Sequence, residues 1–126
     1  MEQVKFFTPK QANQTLPLVK RIVEDILKTG QSIRDLSMKI ERPEEDPEIN
    51  HLMDRLDEHF EELESLGCSY KDWNFTAGLV DFPSILSGRE VFLCWQSDED
   101  KVQYYHDVES GFAGRRLIPK ELLEQS

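Results

Sequence analysis

The sequence contains few cysteines and no long apolar stretch. Cys68 and Cys94 are its two cysteines among 126 residues, too few for the disulfide framework of a small secreted protein. No apolar run approaches the roughly 18 residues that a membrane-spanning helix needs. The N-terminal segment MEQVKFFTPK also lacks the apolar core of a signal peptide. We therefore expect a cytoplasmic protein with no membrane partner.

The sequence is also poor in positive charge. It has 15 Lys and Arg residues against 25 Asp and Glu residues, for a formal net charge of -10. Nonspecific binding to nucleic acid depends on basic side chains that replace the counterions of phosphates, and an anionic membrane surface attracts proteins in the same way. The charge balance therefore predicts that nucleic acid is not a partner.

A first long helix is indicated by apolar residues that recur every three or four positions from Leu16 to Ile40. Thr8 and Pro9 are typical of a helix start, because threonine caps the free N–H groups and proline fits the first helical position. Pro17 lies within the pattern. It is expected either to separate a short helix from the long one or to kink the junction.

A second helix is indicated by a similar apolar stripe from Ile49 to Leu66, which ends at Gly67. The loop between the two helices, residues 42–47, is acidic and contains two prolines. Two amphipathic helices joined by a short loop predict an antiparallel hairpin, here over about residues 9–67.

The pattern changes to short β-strands after the hairpin. Strands are predicted at 78–83, 90–95 and 101–106, with a turn at Ser87-Gly88. A short helix is expected at 120–124. The prediction is an α+β fold, with a long antiparallel helical hairpin packed on a small antiparallel three-stranded β-meander. Residues 1–126 are expected to form a single domain, with the β unit at about 70–119.

The motifs GLVDFPSILSGREVFLCWQ (78–96) and YHDVESGFAGRR (105–116), together with FTPKQANQTLPLV (7–19), resemble a bacterial family of small uncharacterised proteins, a domain of unknown function. The resemblance covers most of the chain and implies a structural unit without an assigned activity. Family members often carry Trp and Arg where this chain has Tyr105 and Gln96. The absence of that arginine argues against anion binding at position 96.

Polar residues at the ends of the predicted strands form the main candidate site. Asp81 and His106 end alternate strands of the meander, so they are expected at the same edge of the sheet. A carboxylate beside an imidazole fixes its tautomer, as a general base requires. We predict Asp81 and His106 as a catalytic pair. The predicted ligand-binding residues are Trp95, Glu109, Arg115 and Arg116.

The two arginines follow a loop bounded by Gly111 and Gly114, which would let a guanidinium reach an anionic group. Trp95 ends the middle strand and is expected toward the opposite edge. The same residues also have a structural interpretation. In that interpretation Asp81 caps a turn, His106 is a half-buried strand residue, and an arginine pairs with Glu109.

Two other chemistries are less well supported. Glu48 and His51 have the Glu-x-x-His spacing of two-metal helical bundles, but Leu56 stands three residues before His59, so the required second motif is absent. We predict no metal site and no cofactor. Cys94 could pair with His106 as a nucleophile. No basic residue lies near Cys94 in the sequence to activate it, so a buried thiol is favoured.

The leading functional hypothesis is a small cytoplasmic binding or interaction module. It would form a homodimer through surplus apolar helix surface and hold a small anionic ligand near His106 and Arg115. One alternative is a small enzyme that uses Asp81 and His106 as an acid/base pair. Another is a structural adaptor that acts through its helical hairpin. Whether the chain is an enzyme is left open by the sequence.

Overall fold

A computed structural model of the chain describes residues 4–72 and 74–124. Its two long helices are α1, Pro9–Lys39, and α2, Pro47–Ser65. A third short helix, α3, spans Lys120–Leu123. Within the described residues, no helix combines the length and the hydropathy that crossing a bilayer requires.

The start of α1 follows the expected capping chemistry. The backbone N–H of Gln11 donates to Thr8 Oγ1 at 3.1 Å, and the Gln11 side chain accepts from the Thr8 N–H at 3.0 Å. Pro17 neither ends nor divides this helix, which continues to Lys39. Leu16 and Val19 are both buried in the core, and this packing holds the chain helical on both sides of the proline.

The second helix packs against the first as the other arm of the hairpin. The Asp46 side chain caps α2 by accepting from the backbone N–H of Ile49 at 3.0 Å. Beyond its C-terminal end, Gly67 has a φ of +95°, a left-handed conformation that glycine adopts without steric cost. The apolar periodicity therefore predicted both helices and the position of the turn that follows them.

The β unit is a five-stranded antiparallel sheet with strand order β1-β2-β3-β4-β5. The strands are β1 Ser69–Tyr70, β2 Leu79–Leu86, β3 Arg89–Gln96, β4 Tyr104–Asp107 and β5 Arg116–Leu117. The prediction of three strands was wrong in number, although β2, β3 and β4 correspond to the three predicted segments. The two additional edge strands have two residues each, too few to produce a recognisable alternation in the sequence.

The central hairpin of the sheet joins β2 to β3 through the two-residue turn Ser87-Gly88. Both turn residues have positive φ, 53° and 77°, as a tight hairpin requires. This turn pairs Leu86 with Arg89 and carries the register along both strands, so that Asp81 lies opposite Cys94.

One face of this sheet forms the hydrophobic core with α1. The sheet contributes Val80, Phe82, Leu93 and Trp95, all fully buried or nearly so. The helix contributes apolar side chains from its predicted stripe, among them Leu16, Val19, Val23 and Ile26. Because strand residues alternate between faces, the residues between these core positions lie on the other face of the sheet, away from α1. We call this second face the outer face.

Candidate functional site

The outer face carries three buried polar side chains on three adjacent strands. Asp81 on β2 lies directly opposite Cys94 on β3, and His106 on β4 lies opposite Phe92. Since Phe92 and Cys94 are two residues apart, the strand pleat places all four side chains on the outer face. Asp81, Cys94 and His106 are buried, although they do not belong to the hydrophobic core cluster.

Asp81 and His106 meet across β3. His106 Nε2 lies 3.1 Å from Asp81 Oδ1 and 3.2 Å from Oδ2. Their side chains are only 4% and 8% exposed for His106 and Asp81, respectively, so the contact is shielded from water. The structure brings together the two residues predicted as a pair. It does so by placing them on one face of the sheet, each beside β3.

The other imidazole nitrogen of His106 defines the tautomer. Nδ1 lies 2.8 Å from the backbone carbonyl oxygen of Asp107. A carbonyl oxygen can only accept a hydrogen bond, so Nδ1 carries a proton and donates it. Nε2 is thereby directed at Asp81, with which it makes a hydrogen bond.

Cys94 completes this cluster. One potential ligand atom from each of Asp81, Cys94 and His106 lies within 4.8 Å of the other two. The pKa of the Cys94 thiol is raised to about 12, mainly by burial and in addition by the Asp81 carboxylate, while Arg115 acts to lower it. At neutral pH the thiol is therefore protonated, which argues against a free cysteine nucleophile.

A cavity of about 310 Å³ opens beside the cluster. Asp81, Cys94 and His106 all line it, and its other lining residues are Lys71, Leu79, Phe92, Val108, Gly111 and Phe112. Apolar walls with a few convergent polar groups are typical of small-ligand sites. A larger cavity of about 520 Å³ is lined by Glu109, Arg89 and Asp107 on the surface and does not contain the buried cluster.

Arg115 is held by partners within the protein. Its guanidinium donates to both carboxylate oxygens of Glu99, at 2.8 and 3.0 Å, and to the Cys94 carbonyl at 3.1 Å. It also stacks over the Tyr104 ring, 4.0 Å from the centroid. Burial lowers the pKa of Arg115, but the hydrogen bond to Glu99 and nearby negative groups outweigh this effect and raise it. The arginine is therefore charged, and Glu99 neutralises that charge.

The other three predicted ligand-binding residues lie away from the cavity. Trp95 is buried on the core face and donates its indole N–H to the Glu99 carbonyl at 2.9 Å. Arg116 pairs with Asp107 at 3.0 Å and is exposed, and Glu109 is exposed as well. Asp81 and His106 thus meet as predicted, whereas Trp95, Glu109, Arg115 and Arg116 are absent from the lining of this cavity.

The sequence interpretation missed Cys94 as a member of the cluster, because its apolar neighbours favoured a simple core position. Period-two alternation offered a usable signal, since Leu93 and Trp95 belong to one face and Cys94 to the other. It also missed Glu99 as the partner of Arg115; the structural interpretation paired one of the two arginines with Glu109. That pairing follows from how the 97–103 connection folds back, which the sequence pattern does not show.

The family comparison covers nearly the whole chain. A family model described as "Uncharacterized conserved protein (DUF2203)" matches residues 5–118, a range that includes the entire cluster. The chain therefore belongs to this family of uncharacterized conserved proteins, consistent with the resemblance to a domain of unknown function. No curated protein and no solved structure matches the chain.

Proposed function

We propose that this member of the uncharacterized conserved family is a small binding module whose ligand occupies the cavity on the outer face. The observation that carries the proposal is the buried contact between Asp81 and His106 in the lining of that cavity. Polar groups taken out of water cost free energy unless they are well paired. A pair placed beside an open cavity, outside the hydrophobic core, is suited to bind something else.

The lining of the cavity indicates a small ligand with a polar end. Phe92 and Phe112 supply apolar walls, while the carboxylate and imidazole supply hydrogen-bonding groups. An anionic ligand near Arg115 has less support, because Glu99 already neutralises that guanidinium through two hydrogen bonds. Among the residues that line the cavity, Lys71 is the one whose side chain carries a permanent positive charge at neutral pH, and an anion would depend on it.

Native mass spectrometry of the full chain, purified without chelators, tests the proposal. We expect wild-type protein to carry a bound mass that His106→Gln loses. The matched control is His51→Gln, since His51 is an exposed residue of α2 and its replacement should retain that mass. A mass retained equally in both variants, or lost equally from both, would place the ligand elsewhere.

A second candidate function, a small acid/base enzyme, is favoured by the 3.1 Å separation between His106 Nε2 and Asp81 Oδ1. General-base catalysis requires hydrogen-bonding reach, and this pair has it. If the pair is catalytic, both members are required for turnover. Any activity found with the wild-type chain should be abolished by His106→Gln and by Asp81→Asn and retained by His51→Gln. An activity that His106→Gln and Asp81→Asn both retain contradicts this enzyme.

Cellular context and assembly are part of the same proposal. We place the protein in the bacterial cytoplasm, which agrees with its two free cysteines. We propose a homodimer through helix surface left uncovered within the chain, where Leu18, Met38 and Met53 are 46%, 81% and 50% exposed. Light scattering coupled to gel filtration at micromolar concentration should give twice the mass of the chain, and a monomer would contradict the dimer.

The structural-adaptor alternative uses the same exposed helix residues without the cavity. It predicts that Met38→Glu abolishes the cellular role of the protein while His106→Gln preserves it. The binding proposal predicts the opposite: His106→Gln should impair the cellular role more than Met38→Glu does. Ile26 is unsuitable for this comparison, because it is fully buried in the core and a polar residue there would unfold the protein.

A further inference from the structure

Three different metal-ligating groups converge on the outer face. A carboxylate, a thiol and an imidazole from β2, β3 and β4 lie within 4.8 Å of one another, and all three residues are buried. We propose that Asp81, Cys94 and His106 bind a divalent transition metal ion of the zinc class. This inference rests on the ligand site proposed above and names the chemical class of its ligand.

The separations fit a single ion with little rearrangement. In a tetrahedral site with bonds of ~2.0–2.3 Å, ligand atoms lie ~3.3–3.6 Å apart. His106 Nε2 and Asp81 Oδ1 are already 3.1 Å apart. An ion placed between them would replace their direct hydrogen bond. The Cys94 thiol, within 4.8 Å of both, has only about 1 Å to move.

The orientation of His106 provides an independent argument. Metal-binding histidines almost always donate their second ring N–H to a carbonyl, carboxylate or water, which fixes the tautomer and aims the free nitrogen. His106 Nδ1 makes such a contact with the Asp107 carbonyl at 2.8 Å. The nitrogen left for coordination is Nε2, and it points at Asp81, the second proposed ligand.

The mixture of donor atoms defines the class of metal. Calcium and magnesium prefer sites made entirely of oxygen atoms, and the thiol and imidazole of this cluster do not suit them. Sulfur, nitrogen and oxygen together suit zinc and its neighbours in the first transition series. On coordination the buried thiol would release its proton to solvent, since a bound cation stabilises the thiolate that burial alone disfavours.

Three protein ligands leave one position of a tetrahedral ion open. Sites with an open position are characteristic of metals that bind a further molecule, whereas closed four-ligand sites are structural. The cavity of about 310 Å³ is lined by the same three residues, so it provides room for a water molecule or a small substrate at the fourth position. The metal would thus link the buried cluster to the cavity.

Cobalt(II) is a suitable probe, because it replaces zinc and its absorption reports tetrahedral thiolate coordination. The full chain, stripped with a chelator, would be titrated with cobalt(II) and then with zinc(II). We expect one cobalt ion per chain and a thiolate-to-metal charge-transfer band. Zinc should displace the cobalt ion and thereby remove the band. Cys94→Ser should remove the band, whereas Cys68→Ser, which changes the other buried thiol, should keep it.

His106→Gln and Asp81→Asn should each weaken zinc binding at least tenfold, and His51→Gln should leave it unchanged. Circular dichroism of each variant distinguishes loss of a ligand from loss of the fold. If Cys94→Ser does not fold, Asp81→Asn, a nearly isosteric change, decides. Wild-type protein that binds no cobalt, or variants that bind it as wild type does, would overturn the metal site. In that case a non-metal mass that only His106→Gln loses would still support the binding module.

Discussion

The two faces of the sheet are buried by different means. On the core face, Val80, Phe82 and Leu93 are fully buried by apolar packing against α1. On the outer face, Asp81 and His106 are almost as well buried, but their hydrogen-bond partners are each other and, for His106, the Asp107 carbonyl. The core face therefore buries apolar side chains, whereas the outer face buries side chains that can ionise.

This difference distinguishes the residues that stabilise the fold from the polar residues that could bind a ligand. Apolar burial contributes favourable free energy roughly in proportion to the area removed from water. A buried ionic pair contributes little net stability, because the cost of removing both groups from water offsets their attraction. The outer face is therefore better explained by ligand binding than by folding, and the following predictions test that division.

The largest expected effect is on the core face. Phe82 is fully buried and makes an edge-to-face contact with Phe7, with ring centroids 5.3 Å apart. Phe82→Ala should lower the free energy of unfolding by about 3–5 kcal/mol through lost burial and a new cavity. Phe92→Ala is the matched control, since Phe92 is a half-buried residue of the outer face and should cost clearly less in urea denaturation. Equal losses of unfolding free energy in the two variants would contradict the distinction between the core face and the outer face.

An intermediate effect is expected for the buried pair. His106→Gln leaves the Asp81 carboxylate buried without its imidazole partner, so metal-free protein should lose about 2–3 kcal/mol of unfolding free energy. Adding Asp81→Asn should recover part of that loss, because the uncompensated group is then gone. A double-mutant cycle in urea measures this coupling. Strictly additive losses would show that the two residues act independently.

A smaller effect on stability is expected from the ion pair between Glu99 and Arg115, which holds the end of the 111–115 loop. Glu99→Gln removes the charge from two hydrogen bonds with Arg115 that are largely shielded from solvent. We expect a loss of about 1–2 kcal/mol of unfolding free energy. Hydrogen exchange should also become faster in residues 111–115. The matched control is Glu109→Gln, at an exposed position, and it should change neither measurement.

The smallest effect on stability at neutral pH is expected from the thiols. Burial raises the pKa of Cys68 and Cys94 from 9.0 to about 12, so both are protonated at neutral pH in folded and unfolded chains alike. In metal-free protein the unfolded thiols ionise first, so the free energy of unfolding should fall as pH rises from about 9 toward 12.

Urea denaturation at pH 8 and pH 10 measures this loss of stability. A variant with Cys68→Ala and Cys94→Ala separates the thiols from other groups, and its stability should fall less between the two pH values. Alkylation by iodoacetamide at pH 8 should likewise be slow in the native chain and fast in urea. Rapid alkylation of native Cys94 would show that the outer face is open to solvent.

Much of the fold could be predicted because helices and strands repeat at short range. The spacing of Leu16, Val19 and Val23 indicated the buried stripe of α1, and the run from Val91 to Trp95 indicated β3. The edge strands Ser69–Tyr70 and Arg116–Leu117 could not be predicted. Each is defined by hydrogen bonds to a neighbouring strand, and two residues carry no period of their own.

The candidate site was predictable only in part. The pairing of Asp81 with His106 was anticipated from strand order, but through a shared edge of the sheet. In the structure both residues lie on one face, on the two strands that flank β3, and this arrangement brings Cys94 of β3 close to both. Arg115 was predicted to bind a ligand, and it is instead occupied by Glu99.

The sequence by itself determined the helical hairpin, the three main strands and the acidic surface, because each depends on residues a few positions apart. The tertiary structure alone decided that Asp81, Cys94 and His106 meet. Asp81 and His106 are 25 positions apart in the chain, and their contact depends on the register of β2 and β4 against β3. The Ser87-Gly88 turn sets the register of β2 against β3, and β4 pairs with β3 after the 97–103 connection. These strand pairings, and not the local sequence pattern, place the three side chains together on the outer face.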